Sequence, residues 1–167
     1  MSASHHAASP HQGPTLAHRI FLAVTWIIKG LLRAGFPMGP MLLLTVRGRK
    51  SGEPRTTPVD RFESNGRSFL VSTHRQESSN WVRNLRAAGE GVLSRGRNRQ
   101  PIAVVELTPE DAGPVLRDVL GPRLAAPLRG FVLRRTFSVP PHAPLAAFVD
   151  AARSHPVFEI VPARGTE

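Results

Sequence analysis

Residues 41–58, Met-Leu-Leu-Leu-Thr-Val-Arg-Gly-Arg-Lys-Ser-Gly-Glu-Pro-Arg-Thr-Thr-Pro, constrain the fold of this 167-residue chain more than any other stretch. The apolar run 41–46 reads as a buried strand, because it is apolar at nearly every position rather than at alternate ones. It ends in a turn held between Gly48 and Gly52, where the lack of a Cβ permits a sharp bend and brings backbone N–H groups close to a ligand. A second strand over 55–62 then returns as a hairpin partner. Pro58 within it demands a sheet edge or a bulge, since it has no N–H to give to a ladder. The turn carries Arg49, Lys50 and Ser51, with Arg47 and Arg55 on its flanks. Cations and a hydroxyl gathered where a strand ends suit an anion, a phosphate above all. A solvated basic hairpin tip has the same composition, and the stretch alone does not separate the two.

The remaining pattern is mostly short strands. Ser64-Asn65-Gly66 marks a tight turn, followed by a strand over 68–73. Residues 79–88 read as a helix with Trp81, Asn84, Leu85 and Ala88 on one face and Gly89 closing it. Strands over 91–94 and 101–107 flank the turn Gly96-Arg97-Asn98. Thr108 then caps a helix with Pro109 at its first position and Glu110 and Asp111 in its first turn. Pro114 predicts a kink or a late restart there. Residues 121–142, rich in Gly, Pro and Arg, read as irregular. A helix over 144–152, with Leu145, Phe148 and Val149 inward, precedes a sixth strand over 157–161. Six strands with few, short helices predict a mainly β, α+β fold: a small antiparallel barrel with peripheral helices.

At the other end of the chain, residues 1–15 hold His5, His6 and His11 among small polar residues and read as a disordered lead. Residues 16–34 form a helical pattern whose polar positions, His18, Thr25, Lys29 and Arg33, make one narrow stripe. Its apolar core, 20–28, is too short to span a bilayer, which takes about 20 residues. Packing on the domain is the favoured reading; the alternative is a membrane interface with Phe21 and Trp26 inserted.

Chemistry-bearing residues are scarce. The chain has no cysteine, which excludes thiol chemistry, disulfides and cysteine zinc sites, and no tyrosine to act as a phenolic acid. No serine or histidine sits in a nucleophile elbow or at metal-ligand spacing. Ser72 and His74 lie at a strand end just before the helix of Trp81. Any chemistry must come mainly from a borrowed cofactor. The formal charge of +10 rests almost wholly on arginine, since Lys29 and Lys50 are the only lysines, and it attracts polyanions in general. Trp81 and Asn84, one turn apart, suit a flat heteroaromatic ligand with carbonyl edges, or else a core residue with a local partner. Arg95, Arg97 and Arg99 around a hairpin tip read as a solvated edge or a second anion contact. Arg134 and Arg135 beside Phe131 and Phe137 lack an accompanying recognition motif, so no nucleic-acid partner is expected.

The turn Gly48-Arg49-Lys50-Ser51-Gly52, with Pro54, Arg55 and Pro58, resembles a signature of the deazaflavin-dependent nitroreductase family. Trp81 followed by Asn84-Leu85, within residues 80–89, is similar to that family's second block, and residues 155–160 resemble its last strand. This family is a branch of the flavin and deazaflavin oxidoreductases, and the resemblance covers about residues 38–162. It implies a six-stranded split β-barrel domain over 38–162, which the helical pattern precedes with an amphipathic helix over 16–35. It also implies coenzyme F420, with FMN as the alternative.

By the same resemblance Arg49, Lys50 and Ser51 would hold the cofactor phosphate, and Arg55 the phosphate or the acidic tail. Pro58 would lie by the ring, Ser72, Thr73 and His74 would contact it, and Trp81 and Asn84 would line the pocket near the tail. The implied activity passes a hydride from the reduced deazaflavin to a small acceptor such as a quinone, an activated alkene or a nitroaromatic. His74 is the candidate proton donor. A non-catalytic protein of this fold holding F420 or a fatty acid is the alternative. The protein is expected to be cytoplasmic, with peripheral membrane contact through 16–34 open, and a monomer or homodimer. Two departures bear on the acceptor: the family's tyrosines are missing, with Asp60-Arg61 where aromatics are common, and His74-Arg75 replace a lysine near the third strand's end.

Overall fold

A computed structural model describes residues 26–36, 39–73 and 79–162, with Arg129 as backbone only. The lead over 1–15, the first part of the 16–35 helix and His74 lie outside the described residues. Six strands, β1 (Met41–Arg47), β2 (Pro54–Ser64), β3 (Arg67–Val71), β4 (Glu90–Arg95), β5 (Asn98–Glu106) and β6 (Val157–Val161), close into a barrel in the order β1-β2-β3-β6-β5-β4. Every neighbouring pair is antiparallel. The helices are α1 (26–33), α2 (Asn80–Ala88), α3 (Pro109–Leu124), α4 (Pro127–Phe137) and α5 (Leu145–Ser154). This is the expected split β-barrel with peripheral helices.

Side-chain alternation divides the interior in two. Leu44, Val46, Val59, Leu70, Leu93, Ile102 and Phe158 point into the barrel and join Val82 and Leu85 of α2. Their neighbours Phe69, Val71 and Val157 point outward and meet Val115, Leu116, Val119 and Leu120 of α3 and Phe148 of α5. The buried strand positions therefore divide between the two cores, as a period of two requires. At roughly 1.5–3 kcal/mol for each fully buried large side chain, both clusters are needed to offset the entropy of ordering the chain.

Local signals account for the connections. Asn65 and Gly66 both have positive φ, 51° and 72°, which is the turn geometry that matches the twist of a two-residue hairpin. Pro58 stands opposite Leu43 of β1, while β3 pairs with β2 only from Asp60 onward, so the proline occupies a stretch of β2 with one partner strand. Thr108 accepts a hydrogen bond from the Asp111 N–H, 3.2 Å, and caps α3 as its sequence predicts.

Helix α3 departs from expectation. It runs through Pro114 without a late restart and continues to Leu124, and α4 fills most of the stretch read as irregular. The carbonyls that Pro114 and Pro122 leave without an N–H belong to Glu110 and Asp118, both exposed and open to water. Pro127 sits in the first turn of α4, where an N–H is not required. Gly130 permits a close crossing: a Cβ there would lie 2.4 Å from the Leu124 carbonyl oxygen.

The described part of α1 docks through Leu32, fully buried, whose carbonyl accepts the Gly96 N–H at 2.8 Å. Trp26 and Ile27 remain largely exposed. Among the described residues no helix is long and apolar enough to cross a membrane.

Candidate functional site

The site grows from the hairpin that opens the barrel. The Gly48 N–H donates to the Glu53 carbonyl and the Gly52 N–H to the Gly48 carbonyl, both at 2.8 Å, with Gly52 at a φ of +71°. Gly48 is buried under this turn; a Cβ there would come within 3.0 Å of Ser51 Oγ and 3.1 Å of the Glu53 carbonyl oxygen. The closed turn turns Arg49, Lys50 and Ser51 outward, and Arg55 follows at the start of β2. Arg55 Nη2 reaches Ser51 Oγ at 3.5 Å, a contact at the limit of hydrogen bonding.

Helix α2 forms the opposite wall. Its apolar side, Val82 and Leu85, enters the barrel core, and this places Trp81 and Asn84 toward the turn. Asn84 is buried, and its Oδ1 accepts two hydrogen bonds from Arg49: one from the backbone N–H at 3.3 Å and one from Nη1 at 3.0 Å. Asn84 is thus neither a local backbone partner nor free; it fastens the cationic turn to the helix across 35 residues of sequence. Trp81 is half-buried, with its ring 6.0 Å from that of Phe158 and tilted by 54°. Ser79, the N-cap residue, makes no side-chain cap bond, and its hydroxyl lies 3.4 Å from Ser72 Oγ. The first turn of α2 therefore faces the site with the positive end of its dipole and no acidic residue to neutralise it.

Between these walls lies a cavity of about 650 Å³, into which Arg49, Lys50, Ser51, Arg55, Trp81 and Asn84 all project. Six of the ten residues expected at a cofactor site are therefore brought together. Among the described residues, none of the three cations has an ion-pair partner, whereas Arg61, Arg67, Arg86 and Arg153 all have one. Unneutralised positive charge therefore borders a cavity large enough for a flat ligand.

Three expected residues stand apart. Pro58 is half-buried on the β2 face opposite to that of its neighbour Thr57 and does not line this cavity. Ser72 is fully buried just past β3: its N–H donates to the Pro156 carbonyl and its own carbonyl meets His155 Nδ1, both at 3.0 Å. Thr73 follows it, half-buried, and is likewise outside the lining. Sequence reading passed over Thr56, Thr57, Ser79 and Asn80, which do line the cavity. The signal for Thr57 was available in principle: it stands opposite Leu44, on the inner face of the hairpin. Phe137, read beside Arg134 and Arg135 as a surface feature, is buried, its ring 4.5 Å from that of His155 and tilted by 46°, while Phe131 stays exposed.

Asp60, on β2 opposite Met41 and Val71, is the clearest electrostatic anomaly of the barrel: burial raises its carboxyl above the ordinary range. No group of histidines and carboxylates among the described residues is arranged to hold a metal ion.

The closed six-stranded barrel, with a cationic turn facing an indole and an amide at one end, is a split β-barrel. The family model of the F420H2-dependent quinone reductases matches residues 18–121, more than half of the chain, and the chain belongs to that family. Solved structures are similar to the chain at low identity. An F420H2-dependent reductase is 22% identical, covering 73% of this chain and 94% of its own, with a TM-score of 0.40. A NimC/NimA family protein from Clostridium acetobutylicum is 14% identical over 86% of this chain and 88% of its own, with a TM-score of 0.48. A third, described as a domain-swapped dimer, is 19% identical over 86% and 98%, with a TM-score of 0.43. No curated protein matches the chain in sequence.

Proposed function

We infer that the cavity between turn 48–52 and α2 holds coenzyme F420, and that the protein passes reducing equivalents from it to a small acceptor of the quinone, activated-alkene or nitroaromatic class. The observation that carries this reading is the set of three unpaired cations and a hydroxyl, Arg49, Lys50, Arg55 and Ser51, facing Trp81 and Asn84 across one cavity. The donor set fits the group: a phosphodiester and an acidic tail need cationic donors, and a planar ring needs an aromatic wall. Arg49, Lys50 and Ser51 bind the phosphodiester, and Arg55 binds the phosphodiester or the tail. Trp81 and Val46 supply the apolar wall, with Thr56 and Thr57 as neutral donors beside it. When bound, the reduced deazaflavin supplies a hydride; the protein's part is to hold ring and acceptor together and to exclude water.

Magnitudes show how the two halves divide the work. Three charge-assisted contacts at about 1.5–3 kcal/mol each give roughly 5–9 kcal/mol gross. A micromolar complex needs about 8 kcal/mol net of an association cost of at least 4. The ionic handle alone therefore falls short, and burial of the ring must supply the rest. Trp81→Ala is accordingly expected to weaken F420 binding as clearly as Lys50→Ala does. The activity test is oxidation of F420H2 by the purified protein with a quinone, an enone and a nitroarene in turn. Turnover with at least one class supports the reading; tight binding without turnover on all of them supports a non-catalytic carrier instead.

A further inference from the structure

At the far end of the barrel the strands open onto a second cavity of about 580 Å³, rimmed by Arg61, Glu63, Arg95, Asn98, Arg99 and Gln100. It lies at the start of β1 and the end of β2, whereas turn 48–52 joins their other ends. Seven residues of β1 at about 3.3 Å each separate the two by roughly 20 Å.

Register puts Arg61, Arg95, Asn98 and Gln100 of this rim at inward-facing positions, while Arg99, opposite Ser94, borders the cavity from the outer face of β5. Gln100 stands opposite Leu93 and Asn98 opposite Arg95, and Leu93 points into the barrel core. Arg61 stands opposite the inward-facing Leu70. The inner surface thus changes from apolar to guanidinium and amide at its last layer.

Arg95 is held in a fixed pose. Its Nη2 donates to the carbonyls of Gly39 and Met41, each at 2.8 Å. Its Nε is buried and is the one buried side-chain nitrogen or oxygen among the described residues without a hydrogen-bond partner. An unmatched buried donor on a charged group is costly, and an oxyanion beside the guanidinium as a whole offsets that cost through its charge. Arg61 is paired with Glu63 at 2.6 Å, so the rim has three guanidiniums and one carboxylate, an excess of two positive charges. The side-chain amides of Asn98 and Gln100 add neutral donors.

The geometry points to a second anion site at this rim, separate from the coenzyme cavity, for a small ligand bearing a phosphate or carboxylate group. Arg95, Arg99 and Arg61 hold the oxyanion, and Asn98 and Gln100 meet its polar remainder.

The test is a titration of the full-length, isotope-labelled protein with inorganic phosphate and, separately, with succinate, at constant ionic strength, followed by amide NMR. Saturable movement of the Asn98 and Gln100 side-chain amides is expected with at least one probe, and which probe succeeds identifies the oxyanion. The movement is expected to persist in Lys50→Ala, which removes a cation of the other site, and to weaken about tenfold in Arg99→Gln and in Arg61→Gln, the loss of one charge-assisted contact. Two independent variants guard against a misfolded one. Shifts confined to residues 48–52, shifts that never saturate, or an Arg99→Gln and Arg61→Gln response equal to wild type would overturn the site.

Discussion

Replacing Asn84 with alanine separates a side chain that touches ligand from one that prepares another side chain to do so. Asn84 Oδ1 accepts the Arg49 Nη1 hydrogen at 3.0 Å and its backbone N–H at 3.3 Å. If Arg49 grips the coenzyme phosphate, Arg49→Ala removes one charge-assisted contact, about 1.5–3 kcal/mol, or roughly 10- to 150-fold in Kd. Asn84→Ala leaves the guanidinium in place but unfastened. The penalty is then the ordering of one long side chain on binding, about 0.5–1.5 kcal/mol, or roughly 2- to 13-fold. The two effects share one route, so the double variant is expected to bind no worse than Arg49→Ala alone, giving a coupling energy about equal to the Asn84→Ala effect. Fluorescence titration of F420 against wild type, both single variants and the double variant measures all four corners. Simple additivity would refute the idea that Asn84 acts through Arg49, and a wild-type Kd for Arg49→Ala would refute the phosphate grip itself.

Other consequences concern stability. Burial raises the Asp60 carboxyl, so the folded protein keeps a proton that the unfolded chain has already released. Stability therefore falls as pH rises through that window and the deficit persists at neutral pH; Asp60→Asn is expected to raise Tm at pH 7, with the gain vanishing near pH 3. An unchanged or lower Tm at pH 7 would count against a penalised carboxylate. The Arg67 guanidinium, hydrogen-bonded to Glu159, holds that carboxyl below its ordinary range. The pair's contribution is complete at neutral pH and lost as pH falls through the lowered value, so Glu159→Gln should flatten the acid limb of a denaturation profile. Gly130→Ala places a methyl against the Leu124 carbonyl and is expected to cost about 1–3 kcal/mol, several degrees of Tm by calorimetry. A neutral result there would mean that α3 and α4 cross less closely.

The parts of the fold legible in the sequence are those governed by neighbours in the chain. The apolar run into the Gly48–Gly52 turn, Asn65-Gly66, the Thr108 cap and the Trp81 face of α2 all follow from local backbone and periodicity rules. Helix α4 was not legible, because Pro127 and Gly130 read as breakers until tertiary structure puts one in a first turn and the other at a helix crossing. The same limit applies to the site. Arg49, Lys50 and Asn84 announce themselves by type, yet the bond from Arg49 to Asn84 joins residues far apart in sequence and depends on how α2 closes the barrel. The second rim was less visible still: Arg95 and Arg99 read as a solvated edge or a second anion contact, and only the barrel register put Arg95 inward and brought Arg61 beside it.

The central claim is that the turn between β1 and β2 grips the ionic handle of F420. A crystal structure of the complex tests it most directly. It is expected to place the phosphodiester within hydrogen-bonding reach of Lys50 Nζ and Ser51 Oγ, with the ring toward Trp81. A phosphodiester bound elsewhere, with Lys50 and Ser51 facing solvent, would contradict it.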